Sequence, residues 1–221
     1  MRIVIKYREA TLEEVIERIH ENAVEHGWWD GERDTDEVYA LIHSEWSEAL
    51  EEARAGRPDK WYFCTNDDRV PMCKPGECEL GACESDEKAP CKYREPKPEG
   101  ICVELIDGII RIFDYLGYMG EAGEYSGGTP DWYFEMSDPE GEEWARKVQS
   151  LSVGALVKRL HSETAKAGDR APGDGMYADN LLEAVTVAWQ WIKGRGLDPM
   201  RLLVEKHEYN KTRAYKHGKR F

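Results

Sequence analysis

Two pairs of carboxylates are the residues whose types and spacing most clearly suggest chemistry in this sequence. Glu45 and Glu48 are three positions apart, and Glu104 and Asp107 repeat that spacing further along the chain. Residues three apart share one face of a helix. At about 100° per residue, Glu45 falls on the apolar stripe of its segment. An ionised carboxylate facing a core is costly unless it is paired or binds a metal.

Arg111 accompanies the second pair on the narrow polar strip of a mostly apolar segment. Two antiparallel helices could bring the two pairs together, and the four carboxylates would then repel one another without a cation. Oxygen ligands of this kind suit Mg²⁺ or Mn²⁺. A single such pair is common on helix surfaces, and Glu104 and Asp107 could instead form ion pairs with Arg111. Two pairs on two apolar helices favour the metal interpretation.

The segments that must position these acids have helical periodicity. Apolar residues recur at helical spacing over 11–27, 36–55, 101–119, 153–167, 178–193 and from 198 onward. The segment 101–119 is apolar around most of its circumference, which predicts deep burial. Residues 120–148 are expected to form a polar connection, and a strand is suggested only over 3–7. The predicted class is all-α.

Residues 61–100 interrupt this periodicity with many Pro, Gly and Asp residues, and we interpret them as an insertion within one helical domain spanning 1–221. Five of the six cysteines lie there: Cys64, Cys73, Cys78, Cys83 and Cys91. Their spacing contains no C-x-x-C pair. Three interpretations stay open: a structural Zn²⁺ site, a disulfide or oxidation switch, and free thiols.

Composition narrows the function classes. The chain has 221 residues, of which 41% are hydrophobic and 33% charged, with a formal net charge of −14. This acidity argues against duplex nucleic acid as a partner, because phosphate contacts drive such binding. The first residues lack the apolar core of a signal peptide, and no stretch of about 18 residues is apolar. We therefore expect a cytoplasmic protein without a membrane partner.

The motif segments resemble a known family. HSEWSEALEEARAG (43–56) resembles the first motif helix of the MazG-like all-α NTP pyrophosphatase superfamily, and GICVELIDGIIRIFDYLG (100–117) resembles its second. EKHEYNKTRAYKHGKRF (205–221) is similar to the family's closing segment, and IHENAVEHGWWD (19–30) is also similar to MazG-like members. The resemblance covers most of the chain. The 55 residues between Glu48 and Glu104 exceed the family's usual short connection.

This resemblance implies a homodimeric helical bundle that cleaves nucleoside triphosphates to a monophosphate and pyrophosphate. By match to the motifs, Glu45, Glu48, Glu104 and Asp107 would hold Mg²⁺, or Mn²⁺, and activate a water molecule. One of these carboxylates, or Glu52, would act as the general base.

The last helix offers complementary groups for a triphosphate. Lys206, Asn210 and Arg213 are spaced to share one face. Arg213 is expected to grip a phosphate, Lys206 to act as a point charge, and Asn210 to bind a sugar hydroxyl or a phosphate. A cationic helix C-terminus favoured by the macrodipole is the alternative. Trp28, Trp29 and Trp46 are candidates to stack on a base, and Trp29 is the one we select, although tryptophan is used more often in cores and interfaces.

An internal repeat is also suggested. His43-Ser44-Glu45 recurs as His161-Ser162-Glu163, and 181–198 takes the place of the second motif helix. In this copy Lys166 replaces the second Glu and Thr186 replaces the Asp. We hypothesise a degenerate tandem repeat that has lost its metal ligands and serves as scaffold.

Two other functions compete with the enzyme described above. One is a non-catalytic zinc-binding or regulatory helical protein built around the cysteine-rich insertion. The other is a related reaction of the same superfamily, such as phosphoribosyl-ATP hydrolysis.

Overall fold

The computed structural model describes residues 12–31, 33–63, 97–121, 138–169 and 176–215. Most of these residues are helical and only two strands of three residues each occur among them, which confirms the all-α class. The helices are α1 (Leu12–Glu25), α2 (Thr35–Arg54), α3 (Ile101–Glu121), α4 (Pro139–Gln149), α5 (Val153–Gly168), α6 (Met176–Gly194) and α7 (Pro199–Lys211). Strands β1 (Trp61–Phe63) and β2 (Lys97–Glu99) pair antiparallel, with Tyr62 opposite Pro98.

Two local expectations were wrong. The connection expected over 120–148 contains α4, whose N-terminus is capped by the Asp138 side chain and carries Pro139 in its first turn. Its buried residues are only Ala145 and Val148, so its apolar periodicity is weak. The two strands stand at the ends of the 61–100 segment, where no regular element was expected. The expected strand over 3–7 and the five cysteines of the insertion lie outside the described residues.

Helix α3 is the centre of the core. It packs against α1, α2, α6 and α7. Ile106, Ile109 and Leu116 are completely buried, as the apolar circumference of this segment predicts. Burial of each such side chain contributes about 1.5–3 kcal/mol. Gly108 admits the ring of Trp46 from α2, because a Cβ at Gly108 would lie 2.2 Å from that ring. The close approach holds the two motif helices together.

The two halves of the chain repeat one packing arrangement. In the first half α1 and α2 pack on α3, and in the second half α4 and α5 pack on α6. Helices α2 and α5 contact each other, as do α3 and α6. His43 Nδ1 lies 2.7 Å from His161 Nδ1, and Trp46 Nε1 donates to Thr164 Oγ1 at 3.0 Å. Both contacts join residues 118 positions apart, the offset between the two His-Ser-Glu triplets. This arrangement is compatible with an internal duplication.

None of the described helices combines the length and the apolar character that a membrane span needs.

Candidate metal centre and adjoining cleft

Three carboxylates converge between the two motif helices. Glu45 comes from α2, and Glu104 and Asp107 come from the first turns of α3. One oxygen from each lies within 4.8 Å of the other two. Glu45 and Glu104 are only 6% and 4% exposed. Oxygens on opposite sides of a bound Mg²⁺ are about 4.2 Å apart at normal bond lengths, so small movements would let all three share one ion.

The turn into α3 sets the position of Glu104. Gly100 has a φ of +113°, and a Cβ there would lie 2.7 Å from the carbonyl oxygen of Pro58. Glycine therefore allows β2 to turn directly into the helix. The Gly100 carbonyl accepts from the N–H groups of Val103 and Glu104 at 2.8 and 3.0 Å, which closes the first turn.

Two cations hold two of the three carboxylates. Arg111 Nε donates to Glu45 Oε1. Lys206 Nζ donates to Asp107 Oδ2 at 2.8 Å and to the carbonyl oxygen of Pro98 at 3.2 Å. Each pairing engages one oxygen of the carboxylate, and hydrogen bonds of this kind commonly orient metal ligands. Ion pairing and metal binding are therefore compatible in this cluster.

Lys206, which was predicted to act as a point charge for a phosphate, is held in this pairing. Its side chain is 1% exposed, and its ammonium lies between Asp107 and the backbone of β2. Lys206 is not part of the cleft wall. The lysine therefore neutralises Asp107 and is not placed to contact a phosphate directly.

The cluster is short of positive charge. Burial, the negative charge of Asp107 and a hydrogen bond with Glu99 raise the pKa of Glu104 to about 9. Burial also raises the pKa of Glu45, although Arg111 opposes that shift. Burial lowers the pKa of Arg111, but Glu45 and Asp107 more than offset this effect, so the guanidinium stays charged. A divalent cation would supply the charge that Glu104 otherwise obtains by holding a proton.

The fourth predicted ligand lies at the edge of the cluster. Glu48 is exposed and lines the same cleft, but it is not one of the three carboxylates that converge. Its negative charge still contributes to the raised pKa of Glu45. Glu52, the other candidate base, accepts a hydrogen bond from Trp61 Nε1 at 2.8 Å.

An open cleft with a cavity volume of about 120 Å³ leads to the carboxylates. Four cations line it together with the acids: Arg33, Lys97, Arg111 and Arg213. Guanidinium groups bind phosphate oxygens through paired hydrogen bonds. Arg213 lines the cleft although it follows the end of α7 and does not lie on the helix as predicted, and Arg33 was missed because it follows α1 in a segment without helical periodicity. The cleft offers positive groups for a phosphate chain beside the carboxylates.

Two asparagine side chains in the same cleft have buried oxygens without a hydrogen-bond donor among the described residues. Asn210 is 7% exposed. Among the described residues, no group donates to Asn210 Oδ1 or to Asn22 Oδ1, and both residues line the cleft. A carbonyl oxygen repels phosphate and accepts from a hydroxyl or an N–H group. Of the two roles expected for Asn210, binding a sugar hydroxyl fits this orientation.

The ring of Trp29, which was selected to stack on a base, has partners within the fold. The Trp29 ring stacks on Tyr118 with centroids 4.1 Å apart, and its Nε1 donates to Asp114 Oδ1 at 2.8 Å. Its neighbour Trp28 lines the cleft, while Trp29 does not. The Arg33 guanidinium lies over both rings, 5.5 Å from the Trp28 centroid and 5.1 Å from that of Trp29. Trp28 is therefore the aromatic residue placed to contact a ligand.

The second half of the chain has no comparable carboxylate cluster among the described residues. Glu163, which the hypothesised repeat aligns with Glu45, is paired with Lys166 Nζ at 2.7 Å. Glu183, which it aligns with Glu104, is paired with Arg159 at 2.8 Å. Thr186 donates to a carbonyl oxygen of its own helix at 2.8 Å. Protein cations thus neutralise the acids that remain in this half.

The fold and the site together define an all-α protein with a candidate divalent-metal centre beside a cation-lined cleft. Comparison of the chain with protein-family models, with curated proteins and with solved structures finds no match.

Proposed function

We propose that this protein is a Mg²⁺-dependent nucleoside triphosphate pyrophosphohydrolase, which cleaves (d)NTPs to (d)NMPs and pyrophosphate. The observation that carries the proposal is the convergence of Glu45, Glu104 and Asp107 within 4.8 Å, beside a cleft lined by arginines. The motif resemblance of the two helices that supply these acids points to the same reaction. Mn²⁺ is expected to substitute for Mg²⁺, since both ions prefer oxygen ligands.

The cluster supplies the metal ligands in this proposal. Glu45, Glu104 and Asp107 would hold the metal, and Arg111 and Lys206 would orient two of them. When bound, the ion would lower the pKa of a coordinated water and neutralise phosphate charge.

The cleft walls supply the remaining roles. Arg33 and Arg213 would bind the phosphate chain and keep it in line for attack. Glu48 lines the cleft without joining the cluster, which suits it to accept a proton from the attacking water. Trp28 and the two asparagines would contact the nucleoside.

The test is product analysis on a panel of NTPs, dNTPs and phosphoribosyl-ATP, with Mg²⁺ or with EDTA. The proposal expects Mg²⁺-dependent formation of a monophosphate and pyrophosphate in equal amounts, observed by ³¹P NMR. Release of orthophosphate, or hydrolysis of phosphoribosyl-ATP alone, would assign a different reaction. No turnover by folded protein with metal present would contradict the proposal.

The internal duplication forms part of the proposal, with the second half serving as scaffold and one metal site in each chain. The expected homodimer is tested by light scattering. The alternative zinc-binding or regulatory function depends on cysteines that lie outside the described residues. Zinc analysis of protein purified without added metal tests that alternative.

A further inference from the structure

The segment that follows α7 is attached to the end of α1. The Tyr215 hydroxyl donates to Asp30 Oδ2 at 2.6 Å. The Tyr215 ring lies directly on Gly27, where a Cβ would come within 2.0 Å of it. The His26 ring lies between two carbonyl oxygens, with Nε2 3.1 Å from that of Arg213 and Nδ1 2.7 Å from that of Asn22. Three contacts thus join one short segment to one turn.

Arg213 lies beyond the end of α7, so the helix alone does not fix its position. The helix ends at Lys211 with Thr212 as its C-cap, so Arg213 follows the last helical residue by two positions. Its N–H still bonds to the Asn210 carbonyl at 3.1 Å, but its own carbonyl is held by His26. The Arg213 side chain lines the cleft that leads to the carboxylates. The direction of this side chain therefore depends on the attachment to α1.

We propose that His26, Gly27 and Tyr215 form a latch that positions Arg213 in the cleft wall to bind the phosphate chain of the substrate. The inference rests on the proposed function for the identity of the substrate. Gly27 has a φ of +76°, a conformation that glycine adopts without strain. The absence of a side chain at Gly27 also leaves room for the Tyr215 ring. A phosphate contact made equally in the ground state and the transition state changes KM and leaves kcat nearly unaltered.

The chain offers a matched control for disrupting this latch. Gly27 and Gly196 both have a φ of +76°, so alanine introduces the same backbone strain at either position. Nothing lies within 4 Å of a Cβ at Gly196, whereas a Cβ at Gly27 displaces the Tyr215 ring. Gly27→Ala is expected to raise KM for the triphosphate about fivefold, the effect of losing roughly one net hydrogen bond, with kcat within about twofold. Gly196→Ala is expected to keep the wild-type KM.

Two further measurements separate positioning from a general structural effect. In an Arg213→Ala background, Gly27→Ala is expected to add no further rise in KM, because the latch acts through that arginine. Tyr215→Ala leaves the core intact, since this side chain is 60% exposed, and is expected to reproduce the KM rise. Additive effects of Gly27→Ala and Arg213→Ala, or an unchanged KM in Tyr215→Ala, would overturn the proposal.

A measurement that does not depend on catalysis tests the latch independently of the proposed function. Trypsin cleavage after Arg213, followed by mass spectrometry, is expected to be several-fold faster in Gly27→Ala than in wild type or Gly196→Ala. Equal cleavage rates in the three proteins would overturn the latch even if the enzyme is active. If the wild-type protein hydrolyses no triphosphate, the proposed function fails, and the cleavage rates alone decide whether the latch exists.

Discussion

Replacing Lys206 by methionine tests how the charge of the cluster is balanced. The methionine keeps an unbranched, apolar side chain but leaves Asp107 without its cation. The Lys206 side chain is 1% exposed and that of Asp107 is 19% exposed, so solvent screens this pair little. Removing one partner of a buried ion pair costs about 3–5 kcal/mol. Because Asp107 retains some contact with water, we expect Lys206→Met to lower the free energy of unfolding by about 3 kcal/mol, measured by urea denaturation in EDTA.

A comparison within the chain isolates the effect of burial. Lys60 pairs with Glu205 at the same 2.8 Å, but those side chains are 15% and 28% exposed. Glu205 also keeps a hydrogen bond from Tyr62 at 2.6 Å. Lys60→Met should therefore cost only about 1 kcal/mol. The double variant Lys206→Met/Asp107→Asn should recover about half of the loss, because a neutral amide needs no cation.

Magnesium links this experiment to the metal site. A bound divalent ion would replace the lost ammonium charge, so Mg²⁺ should stabilise Lys206→Met more than it stabilises the wild-type protein. A loss of less than about 1 kcal/mol in EDTA would show that the pair is not effectively buried. Equal stabilisation of the two proteins by Mg²⁺ would refute the placement of the ion beside Asp107.

Three further predictions follow from packing and titration. Gly108→Ala should cost at least about 3 kcal/mol in urea denaturation, because its Cβ would lie 2.2 Å from the Trp46 ring, whereas Gly154→Ala, with nothing within 4 Å, should cost almost nothing. Burial lowers the pKa of His207 to about 4, so the unfolded chain takes up its proton first. The free energy of unfolding should therefore fall by up to about 3 kcal/mol as the pH drops from 6.5 to 4, and the His207→Gln variant should lack this loss. Because the pKa of Glu104 is about 9, Mg²⁺ binding at pH 7 should release close to one proton, which calorimetry in two buffers would count.

The burial of carboxylates on the two motif helices was the part of the site best predicted from the sequence. Glu45, Glu104 and Asp107 fall on or beside apolar stripes, and helical periodicity alone determines which side chains share a face. The burial of Glu45 and Glu104 bears out that reasoning. Glu48 follows Glu45 at the spacing that separates Asp107 from Glu104, but Glu48 is exposed. It lies at the edge of the apolar stripe, where periodicity does not decide burial.

The residues of the last helix show what helical periodicity cannot predict. Lys206 and Asn210 do share a buried face of α7. That face is partly covered by β2, whose Pro98 carbonyl accepts from Lys206. Strand β2 closes a segment without detectable pattern, so the sequence could not show that this lysine would turn towards Asp107 and away from a phosphate.

Positions in loops were the least predictable. Trp28 and Trp29 are adjacent, and the choice between them depends on the turn that follows α1, where Gly27 has a φ of +76°. The turn directs Trp28 to the cleft and Trp29 to Tyr118. Arg33 enters the cleft from the same connection. Such orientations depend on tertiary contacts that neither composition nor spacing encodes.

The most direct test of the central claim compares Glu104→Gln with Glu183→Gln in Mg²⁺-dependent pyrophosphate release. The hypothesised repeat aligns the two glutamates, but Glu183 is paired with Arg159 and belongs to no carboxylate cluster among the described residues. We predict that Glu104→Gln loses activity at least about a hundredfold, while Glu183→Gln stays within about threefold of wild type. Comparable activity of the two variants would contradict a metal centre built on Glu104.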